Sequence, residues 1–92
     1  MRKLIEGTLK ITATAGGHVA TFTPYALEDG PAQTLPLPTR EAVAELLHEI
    51  GTRTARIIKA MDDLQATGSA DLPSVFLTRV HFQRFHVESP RL

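Results

Sequence analysis

The stretch that decides the fold is TREAVAELLHEIGTRTARIIKAMDDLQATG, residues 39–68. Within it Val43, Leu47, Ile50, Thr54, Ile57, Met61 and Leu64 recur at alternating spacings of four and three, with Thr54 the single polar member. That rhythm marks one face of an α-helix. Leu46 and Ile58 widen the stripe. Thr39 precedes it as an N-cap, a position where a hydroxyl accepts a first-turn N–H, and Gly68 follows as a terminator. Gly51 interrupts the pattern. It could close a first helix, with Thr52 capping a second. The apolar phase is nevertheless unchanged across it, and Glu49 and Arg53 meet in the favourable i,i+4 order only on a continuous helix. The reading is therefore one helix over 40–67, about 40 Å long at the standard rise, with a kink at Gly51 that would let it follow a twisted sheet.

Upstream, residues 3–25 read as a β-hairpin. Ile5, Leu9 and Ile11 alternate with Glu6, Thr8, Lys10 and Thr12, the period-2 pattern of a half-buried strand. Gly16-Gly17 suits a two-residue type I′ turn, which needs positive φ twice. Folding about that pair sets Ile11 opposite Phe22, Ala13 opposite Ala20 and Leu9 opposite Pro24. The other face then pairs Lys10 with Thr23, Thr12 with Thr21 and Thr14 with Val19. Pro24, which cannot donate a ladder hydrogen bond, makes the second strand an edge near its end.

Residues 26–38 read as a connection of turn formers followed by Leu35-Pro36-Leu37-Pro38, whose leucines pack down on the core. Residues 69–73 read as a short loop, and 75–87 as a long strand. On it Phe76, Val80 and Phe82 share one face, and Leu77, Arg79, His81 and Gln83 the other. The apolar set changes parity at Phe85 and Val87, which suggests a bulge near Gln83–Arg84. Residues 88–92 read as a loose tail.

The predicted architecture is a two-layer α+β sandwich of order β-β-α-β, one domain over 1–92. Its three-stranded antiparallel sheet has spatial order 2-1-3, and the long helix covers one face. That face comprises Leu9, Ile11, Ala20, Phe22, Val80 and Phe82. The uncovered face displays Lys10, Thr12, Thr21, Thr23, Arg79, His81 and Gln83, with Val19 and Leu77 among them.

Composition bounds the function. The 92 residues hold 10 basic and 10 acidic side chains, with 42% hydrophobic and 22% charged residues and no cysteine. A zero net charge speaks against a purely electrostatic polyanion site. Without cysteine there is no disulfide framework, thiolate zinc site or cysteine nucleophile. The first residues lack the apolar stretch of a secretory leader, and no run approaches the ~18 apolar residues of a bilayer span. The expectation is a cytoplasmic protein with no membrane contact.

Motifs that carry chemistry are scarce. His81 and His86 lie five apart, which on a regular strand points them to opposite faces, and no carboxylate in their run completes a metal triad. Asp62 and Asp63 are adjacent on the helix and diverge by about 100°. Gly16-Gly17 is followed by no helix and so is no phosphate loop. Neither a nucleophile–base pair nor a cofactor motif is spaced along the chain. The expected function is a non-enzymatic protein–protein interaction module, an inhibitor, adaptor or accessory subunit of regulatory character. It would bind another protein, or a second copy of itself as a homodimer, through the uncovered face, anchored on Arg79. The alternative is a nucleic-acid-binding module using the basic-aromatic strand 79–86, with Arg79 and Arg84 for charge and Phe82 and Phe85 for stacking.

Overall fold

A computed structural model describes residues 4–87. The α+β class and an antiparallel sheet are as expected. The elements are β1 (Leu4–Thr14), β2 (Gly17–Pro24), a 3-10 turn (Leu27–Asp29), β3 (Gln33–Leu37), α1 (Arg40–Glu49), α2 (Thr54–Thr67), β4 (Ser69–Thr78), α3 (Arg79–Phe82) and the two-residue β5 (His86–Val87). The sheet order is β4-β1-β2-β3-β5, every pair antiparallel. The expected neighbours of β1, the second strand on one side and the last long strand on the other, are both present. The sheet is wider than three strands because residues 33–37, expected as a connection, pair with β2. Leu37 is buried and Leu35 packs against the core, as the two leucines require. Pro36 sits beyond the reach of β5, which pairs only with Gln33 and Thr34, where a strand has one neighbour and tolerates a missing N–H. β2 is thus an interior strand through Phe22, and only its end at Pro24 has β1 alone for a neighbour.

The hairpin keeps its two faces but moves its register. Leu9 opposes Phe22, Lys10 opposes Thr21, Ile11 opposes Ala20 and Thr12 opposes Val19. The two strands are offset by two residues from the expected pairing, one full period, so no side chain changes face. The turn is Ala15–Gly16, and Thr14 pairs with Gly17. Gly17, not Gly16, carries positive φ (143°), so the turn is not type I′. A Cβ at Gly17 would stand 2.8 Å from the Leu37 carbonyl oxygen and 2.9 Å from that of Pro38. Gly17 is therefore a site of close backbone approach inside the sheet rather than half of a turn.

The single long helix is corrected to two. Gly51 has φ 82°. Its N–H donates to the His48 carbonyl at 3.0 Å, and the Thr52 N–H donates to the Leu47 carbonyl at 3.0 Å. This pair of bonds is the Schellman ending of a helix. Arg53, with extended φ/ψ and no side-chain cap, opens α2. Glu49 and Arg53 do not pair; Glu49 instead accepts from Arg84 at 2.7 Å. Thr39 does cap α1, its hydroxyl accepting from the Ala42 N–H at 3.0 Å, and Gly68 ends α2 in the left-handed region. The break has a geometric reason. Four strands at about 4.8 Å span about 19 Å, whereas one helix is only about 10 Å across. α1 packs over β2 and β3, and α2 over β4 and β1. From the stripe, Val43, Leu46, Leu47 and Leu64 are buried, joined by Ala60. Ile50, Ile57 and Met61 are partly covered, while Thr54 and Ile58 are exposed.

The last strand departs furthest from expectation. β4 begins at Ser69, within the expected loop, with Ala70 and Leu72 facing the core. Between Gly7 and Leu9 of β1 the register shifts: Leu9 opposes Leu72, yet Gly7 opposes Val75. Two steps on β1 match three on β4, so β4 bulges at Pro73–Ser74, where Ser74 has φ 60°. The extra residue exchanges the faces that follow. Leu77, expected on the open face, is fully buried, and Phe76, expected in the core, is exposed. The bulge lies here and not near Gln83–Arg84. The strand then ends at Thr78, whose hydroxyl accepts from the His81 N–H at 3.1 Å and caps α3. Val80, placed on the core face by the sequence, is exposed in that turn. Phe82 and Phe85 close on Phe22, with ring centroids 5.9 and 6.1 Å away. The expected tail at 88–92 lies outside the described residues. No helix of the described residues is long and apolar enough to cross a membrane.

Candidate functional site

The alternation that buries Ile5, Leu9 and Ile11 of β1 must turn the residues between them to the other side of the sheet. Among the described residues no helix lies over that side. Pairing then assembles rows across the open face. One row runs Asp71, Lys10, Thr21, Thr34 and His86. The next runs Ser69, Thr12, Val19 and Pro36. Thr8 and Thr23 face each other beyond Lys10. The centre of the face is thus a ladder of threonines, with Lys10 directly opposite the oppositely charged Asp71.

One end of the face is different in character. Phe76 opposes Glu6 and Leu4 opposes Thr78, which places Leu4 and Phe76 on a diagonal. Tyr25 follows the buried Pro24 and so turns outward. Its N–H donates to the Glu6 carbonyl at 3.0 Å. Its hydroxyl accepts from the Ser74 N–H at 3.1 Å, so the ring reaches from the end of β2 past β1 to the bulge of β4. Leu4, Tyr25 and Phe76 are 47%, 53% and 48% exposed. Three large apolar side chains thus stand at one end of a polar face, with Glu6 between Phe76 and Tyr25 in the same row; such a grouping is of the kind found at contact surfaces, whereas single exposed apolar residues are ordinary.

Of the seven residues predicted for this face, Lys10, Thr12, Thr21 and Thr23 are on it. Arg79, His81 and Gln83 are not, because the chain leaves the sheet at Thr78. Arg79 and His81 belong to α3, and Gln83 follows it. Val19 is on the face, while Leu77 is in the core. The sequence reading missed Leu4, Tyr25 and Phe76. For Leu4 and Tyr25 the signal was available, since they share the parity of Glu6 and of Thr21 and Thr23. For Phe76 it was hidden behind the bulge.

The basic-aromatic run 79–86 does not form a common surface. Phe85 is buried and Phe82 half-buried against Phe22. Arg84 is tied to Glu49. Among the described residues, no group of three or more His, Asp or Glu side chains is gathered to hold a metal ion. No family model, curated protein or solved structure matches this chain.

Proposed function

We propose that this protein is a non-enzymatic protein-binding module, an inhibitor, adaptor or accessory subunit, that docks a partner on its open sheet face. The observation that carries the reading is the apolar end formed by Leu4, Tyr25 and Phe76 beside the threonine ladder. An apolar anchor flanked by hydrogen-bonding side chains is the anatomy of a non-obligate protein interface. The aromatic pair takes the anchoring role that Arg79 held in the sequence reading, since aromatic residues lead among interface hot spots. The nucleic-acid alternative has less support. Acidic side chains interleave with the cations, Asp71 with Lys10 and Glu49 with Arg84, and the phenylalanines of 79–86 are used in packing.

The experiment is affinity capture from source-cell extract on the immobilised protein, run in parallel with Phe76→Glu, Thr21→Glu and Ile58→Glu. Ile58 is exposed on α2, on the other side of the sheet. A partner retained by the parent and by Ile58→Glu, and lost with the two sheet-face variants, supports the reading. Retention by all three variants overturns it. Binding that nuclease removes and moderate salt abolishes transfers the assignment to nucleic acid.

A further inference from the structure

A cleft of about 620 Å³ opens beside the β4 edge, between the α1–α2 turn and the bulge. Its volume falls in the range of small-molecule sites, roughly 300–1,000 Å³. Leu4, Ile50 and Phe76 supply apolar walls, and Arg53, Arg56 and Ser74 supply the polar ones. Among the described residues no acidic side chain lines it, in a chain whose charges otherwise balance. Arg56 is held in place, donating from Nη2 to the Pro73 carbonyl at 2.8 Å. A guanidinium has five N–H donors, so this bond fixes the group and leaves donors for a ligand. The Arg53 side chain has no hydrogen bond or ion pair with the described residues.

Two guanidinium groups of one sign, one of them pre-positioned, next to an aromatic and two aliphatic side chains, match one ligand chemistry. We propose that this cleft binds a small anionic amphiphile, a carboxylate carried on an apolar body. The carboxylate takes the planar donor forks of Arg53 and Arg56, and the body lies against Ile50, Leu4 and Phe76. The site goes beyond the protein-binding reading. It shares Leu4 and Phe76 with that docking face, but its charged half depends on the α1–α2 turn and the arginines, which are no part of the threonine ladder, and it needs no partner protein to be observed.

The test is an NMR titration of the full chain, labelled with nitrogen-15, using octanoate and, separately, octanol. The expected result is saturable shifts with octanoate at the amides of Gly51, Arg53 and Phe76, and octanol binding about tenfold more weakly. Arg53→Gln should weaken octanoate about fivefold, as for loss of a partly solvated ion pair, while leaving octanol unchanged. Because Arg53 is exposed, the variant should keep the parent melting temperature, and a Phe76→Ser variant gives a second, uncharged probe by weakening both ligands. Absence of saturable shifts would overturn the proposal, as would equal affinity for the alcohol. So would an unchanged Arg53→Gln, or shifts centred on Thr12 and Thr21.

Discussion

The β2–β3 half of the sheet, under α1, keeps one inward and one outward set of side chains from end to end, whereas β4, under α2, exchanges its sets at Pro73–Ser74. Both halves feed the same core and obey the same two-residue alternation. The difference is one inserted residue. It sends Leu77 inward and Phe76 outward, and thereby gives the open face its apolar end. A regular half supplies a polar ladder, and the irregular strand supplies Phe76 to the apolar end and to the wall of a cleft. The irregular strand is also the sheet's edge, where a bulge is tolerated and discourages edge-to-edge pairing.

The exchange of faces makes the largest prediction. Leu77→Ala should cost about 2–5 kcal/mol in urea unfolding, as for a fully buried leucine, while Phe76→Ala should cost less than about 1 kcal/mol. The reverse order would mean that β4 runs without its bulge. The regular half can be probed at Gly17. Gly17→Val should destabilise by about 2–3 kcal/mol, because the side chain meets the Leu37 and Pro38 carbonyls and φ is positive. Gly16→Ala, with open space at its Cβ, should change stability by less than about 1 kcal/mol. Equal losses at the two positions would return the turn to Gly16-Gly17.

The joint between the halves gives a test of sign. With Gly51 in the left-handed region, Gly51→Ala should destabilise by about 1–2 kcal/mol. In one continuous helix the same change would stabilise by up to about 1 kcal/mol. Thermal melts of the two proteins decide between them. The smallest effect concerns the ion pair that ties α1 to the segment after α3. Both side chains are about half exposed, so a double-mutant cycle on Glu49 and Arg84 should show coupling of about 0.2–1 kcal/mol, falling with salt. A cycle on Glu49 and Arg53 should show none.

Much of the fold was legible in local patterns, and its errors share a cause. Hairpin faces follow from alternation, which is why a two-residue slip in register left Lys10, Thr12, Thr21 and Thr23 on the open side. The caps at Thr39 and Gly68 are written in single residues whose chemistry acts within one turn. The two larger errors, the missing β3 and the unbroken helix, are linked. Prolines 36 and 38 hide a strand, and an apolar phase that is unchanged across Gly51, with Glu49 and Arg53 at i,i+4 spacing, favours a continuous helix over an ending there. Once β3 widens the sheet, a second helix is required to cover it. The candidate site was legible by half. Its threonine ladder lies on uninterrupted strands, whereas its apolar end and the arginine-lined cleft depend on a bulge and a helix break that bring together residues 4, 25, 53, 56 and 76.

By itself, then, the sequence determined the α+β class, the inward and outward sets of the hairpin, the start of the first helix and the end of the second. Each rests on side-chain spacing or on a cap within a few residues, interactions that local chemistry completes. Only the tertiary structure decided the turn position, the strand at 33–37, the Schellman ending at Gly51 and the faces of β4. Those turn on how many strands the core must cover and on which of two near-equal local options lets every layer pack. A bulge worth little locally can be chosen because it places Leu77, rather than Phe76, in the core.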